Sequence, residues 1–459
     1  MNFFDRQDEL KALRSAYEEP GASLFILYGR RRLGKTTLLR RFAQGRPAVY
    51  HVADRAAEAD ARRFLAASMA RGLKEPTLGQ VEYPDWYALL SAYDRFRPAQ
   101  KSILILDEYQ YLAEVQPAFS SFLQRWWDEH WKAAPVMIVL CGSALSMMHR
   151  ETLSRSSPLY GRRTGQWLLR PLRFQDMAQF FPARPAREIA ALWSLVGGVP
   201  YYAELAATRS GFRQALRQLV LSRDGPLYSE ARFLLQEEVT TPNVYWSLLH
   251  AIGSGVSRIS ELSGRLGRPA NQLTRYLSAL QDLGLVVREV PVNEKSPARS
   301  KKGLYHIADP FLRLWFGCVA PYESLLEFGK IEEAERSMSK RLLHHQAWAF
   351  ERICRQHVED LASEFGAVRV GRHWDRQREI DVAAVDSENR VVFAGECKWH
   401  QRALGLNALS ELREKVRQTW PDASPRLGLF SRGGFTSALE RQAAQEGSLL
   451  FRIDDLLGG

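Results

Sequence analysis

The sequence lacks the segments that would place it in a membrane or cross-link it by disulfides. It has no apolar run long enough to cross a bilayer and no N-terminal signal segment, so we expect a cytoplasmic protein. Its 4 cysteines show neither metal-ligand spacing nor a disulfide framework, which predicts reduced thiols. Internal repeats and low-complexity segments are also missing, which argues against a repeat architecture.

What the sequence has in excess is positive charge. Its 459 residues include 63 lysines and arginines against 52 aspartates and glutamates, a formal net charge of +11. Such an excess suits a polyanionic partner, although a merely basic protein from an arginine-rich proteome would look the same. Hydrophobic residues make up 46%, enough for real cores, and the length suggests about two to four domains.

A phosphate-binding loop follows a strand-like run at residues 24–28. The loop and the start of its helix read Gly29, Arg30, Arg31, Arg32, Leu33, Gly34, Lys35, Thr36 and Thr37, with the spacing G-x-x-x-x-G-K-[ST]. The glycines let successive N–H groups surround phosphate, Lys35 faces the outer phosphates, and the Thr36 hydroxyl can ligate Mg²⁺. A helix over residues 37–43 would aim its positive end at the same anion. The alternative is an ordinary βα turn that contains glycine.

A second apolar run, residues 103–106, ends in Asp107 and Glu108. Unbroken apolar runs are typical of parallel strands buried on both faces, and nucleotides bind at the carboxyl ends of such strands. This Walker B pattern predicts that Asp107 holds Mg²⁺ and that Glu108 activates the attacking water.

Further candidates follow a third strand predicted over residues 136–141. Ser143 at its end could sense the γ-phosphate, or be part of a plain turn. Arg162 and Arg163 could neutralise transition-state charge in cis or across a subunit boundary, or be solvated surface charges. Residues 166–169 read as another strand. Residues 174–223 read as a small helical lid folded over the nucleotide.

The N-terminal half resembles the archaeal-type ATPase family, a branch of the AAA+/STAND P-loop ATPases. The shared residues are Phe4, Asp5, Arg6, Glu9, Leu10, the run from Tyr28 to Thr36, Asp107, Glu108, Gly142, Ser143, the run from Leu159 to Arg162, Gly197, Gly198 and Pro200. The resemblance implies a five-stranded parallel sheet, ATP as ligand, and an N-terminal segment near the adenine that contains Arg6. It also implies a nucleotide contact by Pro200 and activity that depends on assembly, hence a homo-oligomer.

The middle of the chain predicts a winged helix-turn-helix. Helices are expected over residues 245–252, 259–263 and 272–280, followed by strands over 285–290 and 303–307. The connecting loop carries Lys295, Arg299, Lys301 and Lys302, and the third helix exposes Gln272 and Arg275. These groups could contact DNA, although winged helices also serve as protein-docking modules.

The C-terminal third predicts a hairpin of residues 379–385 and 391–399. Glu396 and Lys398, two apart on one strand, share a face, and Asp381 on the partner strand lies close enough to share their site. Asp381 and Glu396 could hold one Mg²⁺ or Mn²⁺, Lys398 could orient a water, and Glu351 could add a third carboxylate.

This constellation resembles the PD-(D/E)xK nuclease superfamily. Ile380 stands where the motif has proline. An inactive nuclease fold used for binding, or a hairpin with an incidental ion pair, would give the same pattern. His400, His344 and His345 are interpreted as surface residues rather than metal ligands.

The sequence therefore predicts an α/β chain with a parallel AAA+-type sheet and a helical lid, then a winged helix, then a mixed restriction-endonuclease-like domain. The expected domains are residues 1–172 (ATPase core), 173–238 (lid), 239–310 (winged helix), 311–340 (helical connector) and 341–459 (nuclease-like). The predicted function is that of an ATP-hydrolysing, DNA-binding protein with a Mg²⁺-dependent nuclease domain, which acts in DNA processing, repair or defence. The alternative is a STAND-type switch whose winged helix and inactive nuclease fold only bind.

Overall fold

A computed structural model describes residues 4–239 and 241–457, apart from the side chain of Ser146. The chain divides into two compact units, residues 1–171 and 172–459. The finer division into five domains remains a prediction. None of the helices in the described ranges combines the length and apolarity needed to cross a membrane.

The N-terminal unit is built on a five-stranded parallel sheet, as the sequence predicted. Strand order is β2-β3-β4-β1-β5. The strands are β1 Ser23–Tyr28, β2 Ala48–Val52, β3 Ser102–Asp107, β4 Val136–Gly142 and β5 Gly165–Leu168. The helices are α1 Gln7–Glu18, α2 Lys35–Ala43, α3 Glu58–Leu73, α4 Trp86–Phe96, α5 Tyr109–Val115, α6 Phe119–Trp126 and α7 Leu145–Met148. Strands β3 and β4 are buried along their whole length, which explains their unbroken apolar sequences.

The C-terminal unit starts with helices and continues into the winged helix. Its helices are α8 Phe174–Ala178, α9 Ala186–Val196, α10 Pro200–Ala207, α11 Phe212–Ala215, α12 Glu230–Glu238, α13 Pro242–Gly253, α14 Ile259–Leu266, α15 Ala270–Asp282, α16 Pro310–Leu314, α17 Glu323–Glu327 and α18 Ile331–Asp360. Antiparallel strands β6 Val286–Glu289 and β7 Leu304–Ile307 form the wing. The predicted helix-helix-helix-hairpin order is confirmed. Helix α18 crosses the boundary predicted between residues 340 and 341.

The chain closes with a five-stranded mixed sheet of order β12-β11-β10-β9-β8. Its elements are β8 Arg369–Trp374, β9 Glu379–Val385, β10 Val391–Lys398, α19 Leu406–Thr419, β11 Arg426–Ser431, α20 Ser437–Glu446 and β12 Leu449–Arg452. The predicted hairpin is the antiparallel pair β9–β10, and β10, β11 and β12 are parallel. The sequence analysis did not predict β8 or α19.

The base of the wing loop packs against this mixed sheet. The Val292 amide donates to the Arg372 carbonyl at 2.9 Å, and Asn389 Nδ2 donates to the Asn293 carbonyl at 2.7 Å. Val292 is only 4% exposed and belongs to the apolar core of the sheet. This part of the loop therefore docks within the protein, whereas the cationic residues from Lys295 onward stay exposed.

Candidate functional site

The phosphate-binding loop joins β1 to α2 in the predicted way. Gly34 precedes the helix at φ 88°, a left-handed conformation that glycine adopts without strain. At Gly29 a side chain is excluded by a steric clash, because a Cβ there would lie 2.6 Å from the Leu169 carbonyl oxygen. Lys35 Nζ donates to the loop's own carbonyls, at 2.7 Å to Gly29 and 2.9 Å to Arg30. The loop is thereby closed around its lysine.

Asp107 at the end of β3 is the centre of a buried hydrogen-bond network and is only 1% exposed. Its Oδ2 accepts from the Thr36 hydroxyl at 2.8 Å and from the Tyr50 hydroxyl at 2.6 Å. Burial and the neighbouring Asp107 carboxylate raise the pKa of Tyr50, so this phenol stays a donor. A hydroxyl and a carboxylate side by side are the donor set that Mg²⁺ takes in P-loop proteins, so these residues fit that ion.

Glu108 is held in an unusual conformation beside this network. It adopts φ 53° and ψ 40°, which is uncommon for a residue with a side chain. Its Oε2 accepts from Ser143 Oγ at 2.7 Å and from the amide of Gln110. Arg31 of the loop donates to the same Ser143 oxygen at 3.3 Å. The strand ends thus bring Glu108, Ser143 and the phosphate-binding loop together.

Arg6 contacts the phosphate-binding loop directly. Its guanidinium donates to the Leu33 carbonyl at 3.2 Å and pairs with Glu9 at 2.9 Å. Among the remaining loop positions, Arg30 and Leu33 are buried, Arg32 has φ 68°, and Thr37 lies in the first turn of α2.

The predicted finger arginines have partners of their own. Arg162 forms a bidentate ion pair with Asp128, in which Nη2 donates to Oδ2 at 2.8 Å and Nε donates to Oδ1 at 3.0 Å. Arg163 donates to the Leu153 carbonyl at 3.3 Å and lies over the Tyr160 ring. Pro200 is the first residue of α10 in the other unit. The roles of these three residues remain predictions.

The C-terminal carboxylates lie on β9 and β10, with lysines around one of them. Glu396 Oε1 accepts from Lys398 at 2.7 Å and from Lys415 of α19 at 2.8 Å, and its Oε2 accepts from Lys415 at 3.0 Å. Asp381 Oδ2 accepts from the Cys397 amide at 2.9 Å. Two carboxylates and two ammonium groups therefore lie together on the paired strands β9 and β10 and the neighbouring helix α19.

Burial and neighbouring charges alter the pKa values of two carboxylates at this site. Burial, then the Glu396 and Glu351 carboxylates, raise the pKa of Asp381 to about 7. Burial also raises the pKa of Glu351, although Arg355 opposes the shift. Like charges held together in a poorly solvated place are typical of sites that take a cation.

Metal ligation would rest on few side chains. Within the described ranges, no group of three or more His, Cys, Asp and Glu side chains has the geometry to hold a metal ion. Mg²⁺ often uses only one or two carboxylates and completes its shell with water and phosphate, so Asp381 and Glu396 still fit it. Glu396 would then have to exchange a lysine for the ion.

One histidine assignment was wrong. His344 and His400 are exposed, as expected, but His345 is fully buried. Its Nε2 lies 2.7 Å from the Ser194 carbonyl, and its Nδ1 lies 3.2 Å from Arg313 Nη1. Since arginine only donates, Nδ1 is the acceptor and His345 is a neutral structural residue.

Three residues near the sites were not identified from sequence: Tyr50, Gln110 and Lys415. Gln110 lies two residues after Glu108, so its proximity was a local signal. Lys415 follows Leu409 and Leu412 in a helical apolar pattern, which could have shown the helix but not its packing against β10. Tyr50 has no motif, and only the pairing of β2 with β3 brings it to Asp107.

Comparisons with known proteins agree with this architecture. A family model described as an ATPase domain predominantly from Archaea matches residues 3–205. A second model, for archaeal and bacterial proteins of unknown function, matches residues 315–414. An uncharacterized protein of Methanocaldococcus jannaschii is 32% identical over 405 residues, which cover 86% of this chain and 87% of that protein.

Two further matches cover parts of the chain. An uncharacterized ATP-binding protein of the same organism is 46% identical over 44 residues, or 10% of this chain and 75% of that protein. The Walker-type ATPase of Pyrococcus abyssi is 21% identical with a TM-score of 0.50, covering 68% of this chain and 96% of that one. This last likeness concerns the fold alone.

The parallel sheet, the phosphate-binding loop and the Asp107–Glu108 pair define a nucleotide-binding P-loop ATPase of the AAA+ type. Within that class, the chain belongs to the archaeal-type ATPase family.

Proposed function

We propose that this ATPase controls the processing of DNA and that its C-terminal sheet carries a Mg²⁺- or Mn²⁺-dependent phosphodiester-cleaving site. The observation that carries the proposal is the grouping of Asp381, Glu396 and Lys398 on two paired strands. An ion bound there would act as a Lewis acid and acidify a water. The proposal places both activities in one chain, which we expect to act as a homo-oligomer.

The lysines give the proposed cutting site its charge balance. Burial opposes the charged form of Lys398, but the hydrogen bond and charge of Glu396 outweigh it and raise the pKa of Lys398. A protonated Lys398 can hold a phosphate oxygen or stabilise the leaving oxygen, as charged donors do in phosphoryl transfer. Lys415 can neutralise the Glu396 carboxylate until substrate arrives. Glu351 can orient the nucleophilic water as a third carboxylate.

The winged helix supplies candidate DNA contacts in the same unit. Gln272 and Arg275 are exposed on α15, and Lys295, Arg299 and Lys301 are exposed on the wing loop. Cations of this kind bind the phosphate backbone and give binding that weakens with salt.

At the nucleotide site we assign roles from the contacts. Lys35 would exchange its loop carbonyls for the outer phosphates of ATP. Thr36 and Asp107 would hold Mg²⁺, and Glu108 would orient the attacking water while Ser143 positions Glu108.

The remaining nucleotide-site assignments concern residues outside the phosphate-binding loop and the strand ends. Arg6, whose guanidinium donates to the loop carbonyl of Leu33, would approach the adenine. Arg162 or Arg163 would neutralise transition-state charge in cis or across a subunit boundary, and Arg162 would first have to leave its carboxylate partner, Asp128.

A second function is favoured by the state of Glu396. Both of its oxygens already accept from ammonium groups, so the Glu396 carboxylate is neutralised without a metal. This suits the alternative of a STAND-type switch in which ATP controls assembly and the nuclease-like fold only binds DNA or protein. Retained DNA affinity with no metal requirement would favour this function.

A cleavage assay decides between the two functions. The parent, Asp381→Asn and Lys398→Met are incubated with supercoiled, linear and branched DNA, with and without ATP and Mg²⁺. The matched control is Asp386→Asn, since Asp386 lies in the same hairpin and its side chain caps the turn. Loss of cutting in Asp381→Asn but not in the control supports the nuclease. Equal cutting by Asp381→Asn and the parent, or none by any protein, contradicts it.

A further inference from the structure

The outer edge of the ATPase sheet opens into a groove that the nucleotide site does not use. The groove has a volume of about 710 Å³ and runs along β2 between α2 and α3. Its floor is formed by Ala48, Tyr50 and Val52, and its sides by residues of the two helices and the turn after α2. β2 is the first strand of the sheet order, so β3 is its one neighbouring strand among the described residues.

The backbone of β2 is open toward this groove. The Ile103 amide donates to the Pro47 carbonyl, and the Ala53 amide donates to the Asp107 carbonyl, so the odd-numbered residues face β3. In a parallel ladder successive residues face opposite neighbours, which turns the N–H and C=O groups of residues 48, 50 and 52 outward. These are the residues that form the groove floor.

One end of the groove is closed. A Cβ added to Gly72, at the C-terminal end of α3, would lie 2.7 Å from the Ala48 carbonyl oxygen. The open part of the edge is therefore the stretch from Tyr50 to Val52, which offers two amides and two carbonyls. That length accommodates a short extended segment of about three to five residues, at about 3.3 Å per residue.

The sides of the groove are cationic and partly apolar. Arg40, Arg46 and Arg71 line it, and their partners are neutral: the Tyr50 ring for Arg40, the Phe42 carbonyl and aromatic rings for Arg46, and the Ser68 hydroxyl for Arg71. Two large apolar side chains are also accessible, Val52 at 41% and Phe64 at 38%. Asp54 is the one acidic residue among the lining residues.

We propose that this groove binds an extended acidic segment of a partner protein, which adds to β2 as a sixth strand. A strand edge alternates amide donors with carbonyl acceptors, and only another peptide backbone complements both. Acidic side chains of the segment would pair with the three arginines, and apolar side chains would cover Val52 and Phe64. A nucleic-acid phosphate backbone would suit the arginines but not the strand carbonyls, because phosphate oxygens only accept hydrogen bonds.

The groove is also connected to the ATP site through one side chain. The Tyr50 ring lies in its floor, and the Tyr50 hydroxyl donates to Asp107. A bound segment would therefore contact the residue that holds the Walker B aspartate.

The test uses full-length protein and a fluorescein-labelled peptide of alternating valine and glutamate, followed by fluorescence anisotropy. We expect saturable binding that weakens about tenfold or more in Arg40→Glu, the loss of one good charged contact. The matched control is Arg41→Glu, since Arg41 neighbours Arg40 on α2 but is not one of the residues that line the groove. A peptide of alternating valine and lysine should not bind.

A backbone variant tests strand addition itself. Val52→Pro removes an outward amide and leaves the ladder to β3 intact, which proline tolerates on an edge strand. It should weaken peptide binding about tenfold, whereas Val52→Thr, which keeps the amide, should not. A melting curve shows whether Val52→Pro is folded, and Arg40→Glu remains decisive if it is not.

Two outcomes overturn the proposal. One is failure of the valine–glutamate peptide to bind the parent. The other is binding of a single-stranded oligonucleotide that is lost in Arg40→Glu and unchanged in Val52→Pro, which would assign the groove to phosphate. In the first case the arginines would instead serve to keep a bare strand edge from pairing with other sheets.

Discussion

Replacing Tyr50 with phenylalanine isolates one hydrogen bond to the Walker B aspartate. The Tyr50 hydroxyl lies 2.6 Å from Asp107 Oδ2, and Asp107 is 1% exposed, so water cannot replace the lost donor. A hydrogen bond to a buried charged group contributes about 2 kcal/mol. At about 2–4 °C per kcal/mol for a unit of this size, the melting temperature of the N-terminal unit should fall by about 4–8 °C.

The assay is thermal unfolding of the parent, Tyr50→Phe and the control Tyr83→Phe. Tyr83 loses the same atom, but its hydroxyl donates to a neutral carbonyl, that of Leu78, at 3.3 Å, so we expect a fall below about 2 °C. Magnesium and ATP should reduce the difference in melting temperature between Tyr50→Phe and the parent, because a cation beside Asp107 replaces the missing hydrogen-bond donor. A Tyr50→Phe protein that melts with the parent would refute the reasoning.

Three further predictions concern the chemistry and the folding of both units. Lys35→Ala should abolish ATP hydrolysis, whereas Glu108→Gln should keep nucleotide binding and slow phosphate release by about 10²–10⁴-fold; an unchanged rate in Glu108→Gln would exclude it as the base. Burial lowers the pKa of His345 to about 3. As the pH falls through about 6.5, the unfolded chain therefore binds a proton that the folded chain does not bind, and the free energy of unfolding decreases. From pH 7 to pH 5 this loss is about 2 kcal/mol by urea unfolding, and a His345→Gln protein with the same pH slope would contradict it. Leu277→Ala, at a fully buried position of α15, should cost the C-terminal unit about 2–5 kcal/mol, while Thr274→Ala on the exposed face should cost little.

The nucleotide site could be predicted because its motifs are short stretches of sequence and because parallel sheets generally bring the carboxyl ends of their strands to one side. The glycine spacing fixes the loop, and the parallel arrangement brings the carboxyl ends of β1 and β3 together. Thr36 and Asp107 therefore meet although they lie 71 residues apart. The hairpin of β9 and β10 was predictable for the same reason, since alternation along a strand decides which side chains share a face.

What could not be predicted depends on packing between distant elements. Consecutive residues of a helix point about 100° apart, so His344 and His345 cannot both share one face. Which of them is buried depends on Ser194 and Arg313, whose proximity no local pattern shows. Lys415 likewise looks like an ordinary helix-surface cation until α19 packs beside β10.

Helix α18 decides how the gene can be divided for expression. It is continuous for 30 residues, about 45 Å at 1.5 Å per residue, and contributes Arg355, which pairs with Glu289 of the wing at 3.4 Å. Glu289 also pairs with Arg372 of β8 at 2.7 Å. A fragment that begins at residue 341 would cut the helix open and leave both guanidiniums without that carboxylate, so a soluble fragment should retain the chain from the winged helix onward.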